Sequence, residues 1–427
     1  MPVNTRTHRA ENRSIRLLAA VNLVALGSLT APVVAGMPLK IDLLLPADER
    51  AAALATVLAV GGVAALIANP LFGALSDRTR GRFGRRRPWM LGGAAAGLLG
   101  VVALTAADSL AEITAAWVVT QTAYNATLAA TAALLADTVS ENRRAAASGI
   151  FTAAAFVGTL PPLVLTAILP RHVDFIAFVM PLAALVVIGF ALRVPDREHV
   201  AGLRVRKERR TARFSSAFAA VWLQRLAMQS AFSLATAFTI YLIIDRMTHD
   251  AVAATPVAMV ATLAGGTGIV LGASLGGALA SRLQRHLPFL LVGALGLAAA
   301  AFLRSIADAP ALLWIATSVG GLAVGAYLAV NLALAMRVMP HGQSGAYLGV
   351  LNVAETIPQV LAPVAAAALL RVGPGDPISG AADNYLVLYM TAAAIALLSL
   401  STLPALRRAP AARYRPHAKT GAASAGM

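Results

Sequence analysis

The sequence predicts an all-α integral membrane protein with twelve transmembrane helices in two six-helix bundles, the second a parallel repeat of the first. Three observations predict it. Of the 427 residues, 58% are hydrophobic and only 13% charged, about half the charged share of an ordinary soluble domain, and mean hydropathy is +0.73. Twelve apolar runs are long enough to cross about 30 Å of hydrocarbon at about 1.5 Å per helical residue. A motif in the first half recurs in the second.

In order, the runs cover residues 15–37, 52–75, 89–107, 113–135, 147–169, 174–192, 216–244, 256–280, 288–307, 310–335, 346–370 and 385–404. The first follows Arg6, Arg9, Arg13 and Arg16 and ends in small residues, as a secretory signal does. Its length and the eleven runs behind it make it an uncleaved helix. Pro32, Pro70, Pro161, Pro162, Pro256, Pro358 and Pro363 fall inside runs and mark expected kinks. The plan is therefore a six-helix bundle over 1–192, a basic linker over 193–215, a second bundle over 216–404 and a basic tail over 405–427.

Orientation follows from Lys and Arg, because positively charged loops stay in the cytoplasm. With both termini inside, the cytoplasmic segments hold 28 of the 35 basic residues and the outer loops 6, including Arg246 and Arg304. Acids run the other way, 11 outside against 7 inside. The +16 net charge is thus a record of topology and gives no reason to expect a nucleic-acid partner. Of the basic residues, 32 are Arg and 3 Lys, which with the heavy Ala usage points to a GC-rich bacterial genome and hence to the inner cell membrane.

The repeat is seen at an offset of 204 residues: Gly73-Ala-Leu-Ser-Asp77-Arg78 is echoed by Gly277-Ala-Leu-Ala-Ser281-Arg282. A looser echo links Ser148-Gly149 to Ser344-Gly345. Parallel repeats of this kind are a transporter signature. The loop after the first copy continues through Gly84-Arg85-Arg86-Arg87-Pro88, with Asp77 the only acid among six arginines. A small residue at Gly73 permits close helix approach. A lone carboxylate there pairs with an arginine or sits on a helix N-terminus, and either arrangement is a latch.

Away from the ends of the runs two ionisable residues remain, Arg225 and Glu355, each nine residues from the cytoplasmic end of its run, a depth of about 14 Å. Equal depth permits a pair. Intramembrane charges are candidates for substrate or proton handling, although a purely structural ion pair accounts for the same residues. Other polar residues fall on helix faces: Asn352, Glu355 and Gln359 in the eleventh run, Gln121 and Asn125 with Tyr124 in the fourth, Arg225 and Gln229 in the seventh. Asn22, Tyr327 and Asn331 complete the set. Hydrogen bonding between helices explains such residues as well as a substrate path does.

With these strings in view, the sequence resembles the major facilitator superfamily, whose signature between the second and third spans is a Gly, an Asp-Arg and a basic stretch. The extension to Gly84-Arg85-Arg86-Arg87-Pro88 is similar to the sucrose and glycoside:cation symporter branch. So are Leu134-Leu135-Ala136-Asp137 followed by Arg143-Arg144, and Gly349-Val-Leu-Asn352 followed by Pro358-Gln359. The chain departs from sodium-coupled members in having no acid within its second and fourth runs, and its fifth run reads Gly158-Thr-Leu-Pro161-Pro162 where drug antiporters have a Gly-Pro-rich string. The resemblance implies two bundles working by alternating access, with Gly73, Asp77, Arg78, Arg85, Arg86, Asp137 and Arg144 forming an inner gate. It also implies a cavity lined by the first, fourth, seventh and tenth spans, so that Asn22, Gln121, Tyr124, Asn125, Arg225, Gln229, Tyr327 and Asn331 face substrate beside Asn352, Glu355 and Gln359.

Other function classes lack their residues. There is no Gly-x-x-x-x-Gly-Lys-Ser/Thr string for a nucleotide-driven pump. All seven histidines lie in loops or tails and there is no cysteine, so neither a membrane enzyme, a metal site nor a cofactor is expected. The expectation is a monomeric secondary transporter of a small organic solute, a sugar or glycoside taken up with a proton. A drug or metabolite exporter and a non-transporting receptor on the same fold are the alternatives.

Overall fold

The computed structural model describes residues 5–169, 172–196, 215–340 and 342–407; among these it contains helices and loops and no strand. Most of the linker and of the basic tail lies outside the described residues. The long helices are α1 Thr5–Ala31, α2 Ala47–Arg78, α3 Arg87–Ala106, α4 Leu110–Thr138, α5 Arg144–Ile168, α6 Val173–Ala191, α7 Ser216–Ala237, α8 Ala251–Leu283, α9 Leu287–Ser305, α10 Pro310–Val338, α11 Ser344–Leu370 and α12 Tyr385–Leu398. Each answers to one apolar run. Two deviate from a simple rod: Pro32 opens a π-turn, Pro32–Gly36, between α1 and Met37–Leu44, and α7 bends by 45° into Thr239–Thr248.

Among the described residues nine segments are long and apolar enough to cross a membrane, and the bent α7 pair makes a tenth. α4 is polar for a physical reason. Thr120, Thr127 and Thr131 are fully buried and donate to Ala116 O (2.8 Å), Met90 O (3.1 Å) and Thr127 O (2.7 Å). A helix whose polar groups are satisfied inside the protein needs no lipid-compatible surface there.

Packing reproduces the repeat helix by helix. In the first half α1 packs on α4, α5 and α6, α4 on α2 and α3, and α3 on α6. In the second α7 packs on α10, α11 and α12, α10 on α8 and α9, and α9 on α12. The two bundles meet along α2 with α11 and α5 with α8, which exchange under the same relation, and along α4 with α11 and α5 with α10. The ring of Tyr124 of α4 lies against Gly97 and the Cβ of Tyr327 of α10 against Gly293, so each glycine makes room for the tyrosine of the neighbouring helix.

At the end of the molecule remote from the arginine-rich loop, two arginines counted from sequence as outer-loop charges are interior. Arg304 is buried within α9 and donates to Ala235 O (2.7 Å) and Thr239 Oγ1 (2.9 Å), covering a carbonyl next to the α7 bend. Intramembrane charge is therefore not confined to Arg225 and Glu355. Arg246 forms a buried two-pronged pair with Asp376 (2.6 and 2.9 Å) and donates to Ser305 O and Ala307 O. This ties the end of the α7 extension, the α9–α10 turn and the α11–α12 loop together.

Burial pushes the Asp376 carboxyl up, but Arg246 and the Ser379 hydroxyl and backbone amide outweigh it and hold the acid below its usual range. A depressed acid contributes stability above its ordinary pKa and loses it as pH falls through the depressed value. Asp376→Asn should cost about 3–5 kcal/mol, because Arg246 stays buried without a counter-charge. Thermal unfolding in detergent checks this: wild type and variant should differ at pH 7 and converge only below about pH 4.

Candidate functional site

Between the bundles lies a cavity of about 780 Å³. Its walls come from α1, α2, α4 and α5 on one side and α7, α10 and α11 on the other. It runs from Asn69, Ala132 and Leu348, near the arginine-rich end, to Ala55, Val33 and Pro363 toward the opposite end. Much of the lining is apolar, including Leu26, Leu58, Phe151, Phe156, Leu332 and Leu351. Onto this background each half sets a polar cluster.

The first cluster is neutral. Asn22 donates to Phe151 O (2.9 Å), Asn69 donates to Asn125 Oδ1 (3.0 Å), and Asn125 donates to Gln121 O (2.8 Å). The second is charged. Arg225 Nη2 pairs with Glu355 Oε2 at 2.5 Å while Nη1 donates to Asn331 Oδ1 at 3.1 Å. Asn331 is fully buried and donates in turn to Val221 O, so its carbonyl is aimed at the guanidinium. The helices deliver these groups through their 3.6-residue period: Asn352, Glu355, Thr356 and Gln359 fall on the cavity face of α11. Among the described residues, Arg225 and Glu355 are the only ionisable side chains lining the cavity.

At the arginine-rich end the bundles touch backbone to backbone. A Cβ on Gly73 would lie 2.1 Å from Gly345 O, and one on Gly345 2.2 Å from Gly73 O. The symmetry-related crossing is as tight: a Cβ on Gly149 would lie 2.2 Å from Ala273 O, and one on Gly277 2.5 Å from Ala145 O. Over this contact Asp77 accepts from the backbone amides of Gly345 (3.1 Å) and Ala346 (2.8 Å), holding the N-terminus of α11. Ser281 Oγ does the same for α5, accepting from Ala146 N at 2.9 Å.

Arg86 is fully buried at the centre of this end. It donates to Asp77 (2.5 Å), Ser76 (2.5 Å), Ser344 (2.8 Å) and Asp137 (3.2 Å). Arg85 pairs with Asp137 at 2.7 Å, and Arg144 donates to Met336 O at 2.7 Å across the interface. The loop is itself held by Asp196, after α6, which accepts from the backbone amides of Arg86 (2.7 Å) and Arg87 (3.3 Å).

A family model for the Major Facilitator Superfamily matches residues 17–363. The chain belongs to the Major Facilitator Superfamily. Its fold is shared with solved members of low sequence identity. The human organic anion transporter MFSD10 aligns at a TM-score of 0.73, 16% identity, over 92% of this chain and 99% of that one. A bacterial homologue of the iron transporter ferroportin, in an outward-facing state, aligns at 0.70 and 13% over 93% and 99%. The proton:xylose symporter XylE, bound to 6-bromo-6-deoxy-D-glucose, aligns at 0.70 and 14% over 93% and 95%. An uncharacterized symporter of Synechocystis is 56% identical over 43 residues, which is a tenth of this chain and 8% of that protein. The superfamily's members are transporters and not enzymes, and this chain is a multi-pass membrane transporter of that type.

Within this superfamily fold the expected residues separate into three groups. Asn22, Gln121, Asn125, Arg225, Asn352, Glu355 and Gln359 line the cavity. Tyr124, Gln229, Tyr327 and Asn331 are buried outside its lining, Asn331 one step behind Arg225. Gly73, Asp77, Arg85, Arg86, Asp137 and Arg144 come together at the closed end, whereas Arg78 is exposed and has no hydrogen bond or ion pair among the described residues. Sequence reasoning missed Asn69, Trp117 and Thr356 in the cavity, and Ser76, Asp196 and Ser344 at the closed end. Asn69 was findable, because a polar residue in the apolar second run meets the same burial rule as Asn22.

Proposed function

We propose that the protein is a secondary active transporter of a small polar organic solute, a sugar or glycoside, taken up together with a proton by rocking residues 1–192 against 216–404. The arginine-rich end faces the cytoplasm of a bacterial cell, both termini lie on that side, and the conformation described is the one closed to the cytoplasm. One chain suffices, since both walls of the cavity come from it. The observation that carries the reading is the Arg225–Glu355 pair, set in the wall of a cavity shared by both bundles and shut at one end. A proton taken by Glu355 neutralises it and releases Arg225, so proton and solute binding are linked at one point. The amide side chains opposite supply the donors and acceptors a hydroxylated solute needs. The symporter relative and the proton:xylose symporter among the structural neighbours agree with this reading.

Glu355→Gln tests it. In vesicles carrying an imposed proton gradient, uphill accumulation should fall to simple equilibration while solute exchange is kept within a few-fold. Accumulation unchanged from wild type would overturn the coupling role. A second reading, export of an organic anion held by Arg225, is favoured by the apolar walls and agrees with the organic anion transporter among the neighbours. Uptake and efflux measured against a panel of sugars, organic anions and antibiotics separate the two. No flux in either direction from protein confirmed in the membrane would point instead to a receptor.

A further inference from the structure

The two halves of the closed end are not chemically alike. Arg86 stands at the N-terminus of α3, two residues before Pro88, with φ −97° and ψ −39°. Its counterpart 200 residues on is His286, at the N-terminus of α9, two residues before Pro288, with φ −102° and ψ −41°. The carbonyls of both accept from the third and fourth residues that follow. The partner is displaced by the same interval and inverted in charge: Arg86 pairs with Asp137 near the end of α4, whereas His286 meets Arg337 near the end of α10. Where the first half uses Asp77 on a helix N-terminus, the second uses Ser281.

His286 Nδ1 lies 3.4 Å from Arg337 Nη1. Arginine only donates, so the contact requires an imidazole that accepts at Nδ1. Arg337 Nε in turn reaches Glu141 of the other bundle at 2.9 Å. From α10 the ring faces Arg337, and from the Glu141–Arg143 turn it faces Glu141. Arg144 of α5 lies close to Glu141 and Arg337, and Arg282 and Arg285 flank the ring in sequence and are exposed. Every cation in this set opposes a positive charge on the ring.

We propose that His286 is a proton-sensitive element of this closure: its neutral ring holds Arg337 against Glu141, and its protonation favours opening of the arginine-rich end. The proposal rests on the alternating-access reading given above. In the closed conformation the ring is held down to about 4, first by burial and then by Arg337, with Glu141 opposing. Protonation removes the acceptor Arg337 uses and sets two positive groups against each other while Glu141 holds Arg337 in place, so acid shifts the balance toward the form in which Arg337 has left Glu141. Relative to pH 7.5 the open-to-closed ratio should rise progressively at pH 6 and pH 5.

The chain has no cysteine, so introduced thiols are unique labelling sites. Spin labels on Asn142→Cys and Gln343→Cys, exposed positions on opposite bundles, report the width of this end in the full chain. The distance should lengthen between pH 7.5 and 5 in the otherwise wild-type chain. With His286→Gln, which keeps a neutral acceptor, it should stay short. Asp77→Asn should lengthen it at pH 7.5 and serves as the control for the gate. If Asp77→Asn lengthens the distance but acid does not, or acid acts equally on His286→Gln, the histidine proposal is overturned and the gate stands. If neither acid nor Asp77→Asn changes the distance, both are overturned.

Discussion

Gly73→Val is expected to hold the arginine-rich end open and abolish net transport. The valine Cβ would lie 2.1 Å from the carbonyl oxygen of Gly345, a backbone atom that no rotamer change moves. Two helix backbones must therefore separate, and α2 and α11 belong to different bundles. Overpacking in a well-packed interface costs about 1–3 kcal/mol or more, which is about 5–150-fold in the ratio of closed to open forms. The penalty falls only on the closed conformation, so the fold persists while the cycle stalls. Sided labelling reads this out: Ala132→Cys, at the cavity floor, should react with a membrane-impermeant thiol reagent added from the arginine-rich side in the Gly73→Val background and be protected in its absence. Equal protection in both would show that the Gly73–Gly345 contact does not decide access. Gly345→Val should act alike, because the clash is reciprocal.

Arg86→Leu is the second large effect, and it differs in kind. The guanidinium is fully buried and joins residues of both bundles, Asp77 and Asp137 from one and Ser344 from the other. Removing one partner of a buried pair costs about 3–5 kcal/mol, since the remaining charge keeps its desolvation without compensation. Asp137 retains Arg85 at 2.7 Å, which places the expected loss toward the lower end of that range. Arg86→Lys should recover only part, because a point charge on a flexible stem does not reproduce a planar fork that meets four side chains. Unfolding midpoints of Arg86→Leu, Asp77→Asn and the double variant give the coupling. A double variant less destabilised than the sum of the singles is expected, since each single change strands the other's partner. Strict additivity would mean that the short contact carries no energy of its own.

The twelve helices and the repeat were legible because a membrane imposes its rules on sequence directly, through length and apolarity. Arg225 and Glu355 were legible as intramembrane charges for the same reason, since charge at membrane depth is rare enough to be noticed; equal depth only permitted a pair, and the structure makes it. The gate loop was harder. Arg78, Arg80, Arg82, Arg85, Arg86 and Arg87 are equivalent as letters, and nothing in their spacing says that Arg86 is buried while Arg78 faces solvent. That choice is made by Asp196, 110 residues away, which receives the Arg86 amide and sets the loop against α3. Gly84 takes part with φ +88°, a turn the loop needs to fold back, and its Cβ position is filled by the Asp196 carboxylate. The polar residues of α4 and α10 divide in the same way. Asn125 faces the cavity and Tyr124 the α3 groove, although they are neighbours in sequence.

The sequence alone determined the class of protein, its span count, its repeat and the two charges in the cavity wall, because burial in lipid acts on each segment independently of its neighbours. Only the tertiary structure decided which arginine closes the gate, that Arg246 and Arg304 are interior, and that His286 is the counterpart of Arg86. Those outcomes depend on distances between residues far apart in the chain. A helix rotated by one residue, about 100°, exchanges a cavity-facing group for a buried one while leaving the apolar pattern of the span unchanged.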